Sequence, residues 1–383
     1  MVEGTRKLNP RILFVSAADW AFRTNRFSLA KWLVERGAKV GVICPEGNLQ
    51  KEFAEAGLEV FPISFSREHI SILGILRAAK SIRQISHQFN ADVLHCVSVR
   101  CVLLGWLALW GTRIKPRIIN HIIGMGSVFS GQKRDLKSKC LRKGVDLCLR
   151  QAFKGQGVIN VFQNRDDELM WRKKANLKKN QLVRLPGSIA WKEASTPEPK
   201  TDCFRILFVG RMLEDKGVRE LIEAWCVVKA EDVSVELVLC GDVDSGNPTS
   251  LSLAEINTLT NTPGCRWLGR CENVMEQMAK ANLVVLPSYR EGLPRVILEA
   301  GLANRAVITT DVPGCREVVE HGRSGLIVPA QNVNALVNAI RELRRNETKR
   351  LILARGLSER VKTKFSDEVN NPRWWELYTR TLG

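Results

Sequence analysis

No Cys-x-x-Cys pair occurs among the 11 cysteines of this 383-residue chain, and no cysteines and histidines cluster at zinc-ligand spacing. That excludes a zinc ribbon or finger and argues against a disulfide framework; the thiols read as small apolar core residues of a reduced compartment. A long apolar run is also missing. The stretch ILFVSAA, after the basic N-terminus, is too short for a signal peptide and turns polar at Asp19. Residues 101–110, the most apolar segment, are too few to span a bilayer. A cytoplasmic chain whose membrane contact is peripheral is the expectation. Acidic charge is scarce as well: 40 Asp and Glu stand against 58 Lys and Arg, a net charge of +18. Such an excess points to nucleic acid, an anionic membrane surface or phosphorylated substrates.

What the chain does have is an alternation of strand and helix signals, broken once and then restarted. Apolar strands are predicted at 11–15, 39–44, 58–63, 92–96, 117–120 and 158–162, with helices at 27–34, 51–56, 72–89, 101–110 and 166–174 between them. Residues 191–202, WKEASTPEPKTD, read as a linker. Beyond it, strands at 204–209, 235–240, 265–268, 283–286, 306–309 and 325–328 alternate with helices, and 350–382 reads as helical twice over. The length and the doubled pattern predict an α/β chain of two Rossmann-like doubly wound domains, residues 1–190 and 203–365, facing a central cleft. A C-terminal helix near 366–383 is expected to pack back on the first.

The most informative stretch is ANLVVLPSYREGLPRVILEA, residues 281–300. A buried strand passes through a turn containing Gly292 and Leu293 into a helix that opens near Pro294. Proline suits the first helical turn, where its missing N–H has no partner. The helix N-terminus offers free N–H groups and a positive dipole end to a phosphate. Glu291 before the helix and Glu299 inside it can accept bonds from sugar or ribose hydroxyls. Arg211 and Lys216 follow Gly210 at the end of the strand at 204–209, where a guanidinium and an ammonium can neutralise a diphosphate.

Three other features admit two readings each. Gly124-Met125-Gly126 follows a strand but lacks the third glycine of a dinucleotide fingerprint, so it is a structural turn or a substrate loop. Residues 133–179 hold 14 Lys and Arg against five Asp and Glu, with apolar residues at roughly helical spacing. The segment is an amphipathic face on anionic lipid, or a solvated helix whose lysine stems cover apolar surface; no nucleic-acid motif accompanies the charge. Asp242-x-Asp244 follows a strand, as a metal-holding pair would, or is an ordinary polar loop.

Gly210-Arg211, Lys216-Gly217, Glu291 and Glu299, with Leu286 to Pro294 and Thr309 to Glu317, resemble the signature of the retaining glycosyltransferases of family GT4, which have the GT-B fold. The likeness extends over nearly the whole chain and is nearest to the branch that builds O-antigen, capsule and other glycans on polyprenyl-diphosphate carriers. It implies transfer of an N-acetylhexosamine-type sugar from a nucleotide-sugar donor, with UDP the expected nucleotide, and no metal. Arg211, Lys216 and Glu291 would then be catalytic. Gly210, Glu299, Gly292, Leu293, Gly124 and Gly126 would bind the donor, and His121, Asp19 and Arg26 are further candidates. Asn25 stands where that branch usually has a histidine before the arginine. The resemblance also implies a glycan acceptor; the charge of the basic region 133–179 adds the expectation of a place on the inner face of the plasma membrane, against anionic lipid. A sugar-nucleotide epimerase or phosphorylase of the same fold, or a non-catalytic anionic-membrane binder, are the competing readings.

Overall fold

The computed structural model describes residues 9–64, 71–112, 116–124, 136–192, 199, 203–244 and 246–382, with side chains from 142 onward in the helix that starts at 136. The chain divides into two compact units, Met1–Gly187 with Asp367–Gly383, and Ser188–Ser366.

In the first unit, seven parallel strands lie in the order β3-β2-β1-β4-β5-β6-β7: β1 Arg11–Val15, β2 Lys39–Cys44, β3 Glu59–Pro62, β4 Val93–Val97, β5 Arg117–Ile122, β6 Val158–Phe162 and β7 Leu182–Arg184. The helices are α1 Asp19–Asn25, α2 Phe27–Glu35, α3 Gln50–Glu55, α4 Ile72–Gln88, α5 Val99–Leu109, α6 Leu136–Lys154 and α7 Arg165–Ala175. Because side chains alternate across a strand, the sheet builds two cores. Leu13, Val15, Leu94, Cys96 and Phe162 face α4, α5, α6 and α7 through Ala78, Ile82, Cys101, Val102, Leu149, Phe153 and Trp171. Ile12, Phe14, Val40, Val42, Val93 and Ile119 face the other way, onto Phe22, Leu29, Leu33 and Phe53. The last helix of the chain, Asp367–Leu382, completes that second face with Trp374, Leu377 and Tyr378.

The second unit has six parallel strands in the order β10-β9-β8-β11-β12-β13: β8 Phe204–Val209, β9 Val235–Cys240, β10 Cys265–Trp267, β11 Leu283–Leu286, β12 Ala306–Thr310 and β13 Leu326–Val328. Helices α8 Val218–Glu231, α9 Leu253–Leu259, α10 Val274–Ala279, α11 Arg295–Leu302, α12 Pro313–Val318, α13 Val333–Arg345 and α14 Glu347–Arg360 cover its faces; the C-terminal helix Asp367–Leu382 is α15. β11 and β12 are buried throughout and β9 everywhere but at Glu236, as a sheet covered on both sides requires. In both sheets the order reverses direction at one place, between β1 and β4 and between β8 and β11. At such a switch point the loops leaving neighbouring strands diverge and open a crevice at the carboxyl ends.

Several expectations need correction. α1 was not predicted: Asp19–Asn25, DWAFRTN, carries too short an apolar pattern, and its Phe22 is held by Phe14 and Phe53 from other elements. The three-residue strand β7 and the six-residue helix α12 also escape a periodicity argument. Pro294 is the N-cap of α11 rather than a first-turn residue. Of the apolar residues of 133–179, Leu149 and Phe153 are buried in the core of the first unit, whereas Leu147 is exposed. α6 therefore offers its surroundings mainly charge. Cys140 and Leu141, two more apolar residues of 133–179, have side chains outside the described set.

Candidate active site

Of the sequence-predicted residues, Gly210, Arg211, Lys216, Glu291, Gly292, Leu293 and Glu299 follow β8 and β11, the two strands of the second unit's switch point. β8 ends at Val209, and backbone bonds continue its pairing past the strand end: Gly210 N–H donates to Cys240 O at 2.9 Å and Met212 N–H to Asp242 O at 2.9 Å. Gly241 sits at φ +139° with the Gly210 carbonyl so close that a Cβ would fall 1.9 Å from its oxygen. Only glycine lets the two loops touch there.

After Arg211 the chain makes a 3₁₀ turn, Glu214–Lys216, and Gly217 at φ +70° leads into α8. A Cβ on Gly217 would fall 2.2 Å from the carbonyl oxygen of Pro287, so this loop and the one leaving β11 meet backbone to backbone. Tyr289 N–H donates to Asp215 O at 2.8 Å and ties them.

The result is a contact between residues 75 apart in sequence. Lys216 Nζ lies 2.5 Å from Glu291 Oε1, and Ser288 Oγ donates to the same oxygen at 2.8 Å. Gly314 N–H holds the Glu291 carbonyl at 3.2 Å. The Lys216 and Glu291 side chains are only 20% and 12% exposed, so the pair is largely withdrawn from solvent screening. A half-buried cation beside a hydroxyl-accepting carboxylate suits a ligand carrying both negative charge and hydroxyls.

Arg211 is placed differently. Its Nη1 pairs with Asp244, on the loop that leaves β9, and the side chain is nearly half exposed. Asp244 was singled out only as half of a metal-type pair. Among the described residues, no three His, Cys, Asp or Glu side chains gather as a metal site.

Glu299 is one turn into α11, where Arg295 Nε donates to it at 3.0 Å. Burial raises the Glu299 carboxyl above its ordinary value, with Arg295 acting in the opposite direction. Gly292 and Leu293 form the half-buried bend between Glu291 and the start of α11. The first-turn N–H groups of that helix follow directly, a ready position for anionic oxygen. Arg295, Ser288 and Asp244 are the partners that sequence reasoning missed. Ser288 and Arg295 flank the chosen residues in the same motif, so proximity was their one available signal.

In the first unit, Asp19 opens α1 after the β1 loop; its carboxylate accepts from Trp20 N–H at 2.6 Å and Leu49 N–H at 3.4 Å. Arg26 and His121 are buried, at 2% and 0% exposure. Arg26 Nε approaches His121 Nδ1 at 3.1 Å, His121 meets His95 at 3.2 Å, and His95 Nδ1 bonds the Tyr378 hydroxyl at 2.7 Å. Burial and then the charge of Arg26 hold both imidazoles well below their usual value, while burial lowers Arg26 itself to about 10. The three rings and the guanidinium form an internal polar knot. Gly124 follows β5 and is half-buried; Gly126 lies outside the described residues.

Residues 203–346 match the family model described as "Glycosyl transferases group 1", and residues 25–155 match that described as "Glycosyl transferase 4-like domain". The chain is a glycosyltransferase, with a 4-like domain followed by a group 1 domain. Among its curated relatives is the N,N'-diacetylbacillosaminyl-diphospho-undecaprenol alpha-1,3-N-acetylgalactosaminyltransferase of Campylobacter jejuni. That enzyme is 24% identical over 97% of this chain and 99% of its own. The capsular polysaccharide biosynthesis glycosyltransferase CapM of Staphylococcus aureus is 30% identical over 46% of this chain and 45% of its own. Among solved structures, Anabaena HepE in complex with UDP and glucose superposes with a TM-score of 0.77 at 17% identity, over 97% of this glycosyltransferase and 99% of HepE. WaaG, a glycosyltransferase involved in lipopolysaccharide biosynthesis, gives 0.73 at 16% identity over 96% and 99%. These likenesses show the fold, two parallel α/β units of the GT-B type. Among the described residues, no helix is long and apolar enough to cross a membrane.

Proposed function

We propose that this glycosyltransferase moves a sugar of the N-acetylhexosamine type from a nucleotide-diphosphate donor, UDP-linked, to a polyprenyl-diphosphate-linked glycan in cell-surface polysaccharide synthesis, with retention at the anomeric carbon. The observation that carries it is the Lys216–Glu291–Ser288 contact at the switch point of the second sheet. The full-length Campylobacter jejuni relative, whose name specifies a diphospho-undecaprenol substrate, supports the acceptor class; HepE, which binds UDP, supports the nucleotide.

In this reading, Lys216 and Arg211 take the two charges of the donor diphosphate, and the first turn of α11 takes a phosphate oxygen. As the bond from the anomeric carbon to the leaving oxygen stretches, negative charge grows on the diphosphate, and donors already aimed there stabilise it most. The acceptor hydroxyl adds from the face the diphosphate leaves, and its proton passes to the departing phosphate oxygen. Glu291, held by Ser288, keeps Lys216 in place and accepts from donor-sugar hydroxyls; Glu299 accepts from the ribose.

Removing one preorganised donor to developing charge costs about 3–4 kcal/mol. Lys216→Ala should therefore lower turnover by roughly a hundredfold or more with the fold intact. The assay is transfer of labelled sugar to a polyprenyl-diphosphate glycan after nucleotide sugars have been screened for thermal stabilisation. Near-normal turnover would refute the assignment. Epimerised donor or free sugar phosphate in place of a lengthened glycan would replace transfer by one of the same-fold chemistries.

A further inference from the structure

Arg211 does not stand alone in the second unit: Asp244 holds it, and other residues in turn hold Asp244. We propose that Asp244 is a positioning residue that tethers Arg211 by one end of its guanidinium, leaving the opposite edge set for the donor diphosphate. This rests on the phosphate-binding role given to Arg211 above.

The contact uses Nη1 of Arg211. A guanidinium is planar and carries five N–H donors in a fixed fork. Nη1 lies on the Cδ side of the group, so Nε–H and one N–H of Nη2 point in parallel from the other edge. That edge grips two oxygens of one phosphate at once. Among the described residues, Nε and Nη2 bond to no protein acceptor. Asp244 thus occupies the nitrogen that two-point phosphate binding can spare.

Asp244 can do this because its backbone is fixed. Its N–H donates to Ser250 Oγ at 2.9 Å and its carbonyl accepts from Asn247 N–H at 2.7 Å. The same segment is laced to the loop that carries Arg211: Glu214 N–H donates to Thr249 O at 2.8 Å, Leu251 N–H to Met212 O at 2.9 Å, and Thr249 Oγ1 to Asp215 Oδ1 at 3.2 Å. A carboxylate mounted this way selects one arginine rotamer before the ligand arrives. An arginine that is nearly half exposed would otherwise lose rotamer freedom on gripping the phosphate. An ordinary exposed ion pair would have no such consequence.

The test is a double-mutant cycle on the full chain, with nucleoside diphosphate affinity measured by calorimetry. UDP, GDP, CDP and dTDP are titrated into wild type, and the tightest is carried through Asp244→Asn, Arg211→Ala and the double variant. Expected is a loss of about tenfold for Asp244→Asn in wild type and of about twofold or less in the Arg211→Ala background. Equal losses in both backgrounds would show a structural part for Asp244 and overturn the proposal. Wild-type affinity in Asp244→Asn would also overturn it, and tighter binding would recast Asp244 as a competitor for Arg211. If Asp244→Asn melts below wild type, Ser250→Ala, which frees the Asp244 backbone, runs through the same cycle with a smaller loss in the same direction. Arg211→Ala that binds as well as wild type would remove the phosphate role of Arg211 itself; Arg211→Ala that weakens while Asp244→Asn does not would remove only the tether.

Discussion

Glu299 is the residue at which burial and binding pull apart. It lies inside α11 with Arg295 as its partner, and burial raises its carboxyl above the usual glutamate value. A raised acid binds its proton more tightly in the folded state than in the unfolded chain, so stability falls as pH rises above the ordinary glutamate range. Glu299→Gln keeps the shape and removes the ionised form. Its melting temperature at pH 7 should equal or exceed that of wild type, and the gap should close as pH drops toward about 4.5. The same variant should raise the donor KM while leaving kcat nearly unchanged, because a ribose contact serves ground and transition states alike. A variant that melts lower at pH 7, or that loses kcat alone, would contradict this account. Sites tuned for a ligand often carry such a local stability cost.

At the level of elements, α15 shows how the last segment of the chain is locked onto the first unit. Its Tyr378 hydroxyl bonds His95 on β4, and Trp374 lies 5.2 Å from the Arg26 guanidinium. Tyr378→Phe leaves a buried imidazole nitrogen without its partner, at about 1–3 kcal/mol. The same contacts set a pH dependence. Both histidines are held neutral in the fold, whereas the unfolded chain binds protons below about pH 6.5. The unfolded state then carries more protons, and stability is lost as pH falls through that value. In calorimetry of the full chain, the transition lowered by Tyr378→Phe should also fall between pH 7 and pH 5. A flat profile there would mean the imidazoles are not shielded.

Elements differ in how legible they were. α13 is legible in the sequence, because Leu336, Val337, Ile340 and Leu343 repeat on one buried face and Asn332 caps it. The strands β8 and β9 were equally plain as apolar runs, each broken once, by Arg205 and by Glu236. α1 was not, since its fold depends on Phe14 and Phe53 rather than on its own pattern. The candidate site divides in the same way. Arg211, Lys216, Glu291 and Glu299 stood out by residue type and spacing, while the tether from Asp244 crosses 33 positions and the bond from Tyr378 to His95 crosses 283. Periodicity carries no information about partners so far apart.

For the whole molecule, the open question is what the +18 charge does. Leu149, Ala152 and Phe153 of α6 are spent on the core of the first unit, so of its described large apolar side chains Leu147 is the one left exposed. Lys143, Leu147, Arg150 and Lys154 recur at spacings of four, three and four, one outer stripe of the helix. Lys143, Leu147 and Lys154 on it are exposed, whereas Arg150 is paired with Asp146. Attraction to an anionic surface through this face would be electrostatic, worth about 1 kcal/mol for each basic residue near the surface. Reversing both lysines, Lys143→Glu with Lys154→Glu, should weaken binding to phosphatidylglycerol vesicles by about thirtyfold or more. It should leave the melting temperature unchanged, because both side chains are in solvent. Wild-type binding should fall steeply between about 0.05 and 0.5 M salt, as the Debye length shrinks from roughly 14 Å to 4 Å. Binding that survives both the salt and the reversal would move the contact elsewhere, first to Ile72, Leu73 and Leu76, the exposed aliphatic residues in the opening turns of α4.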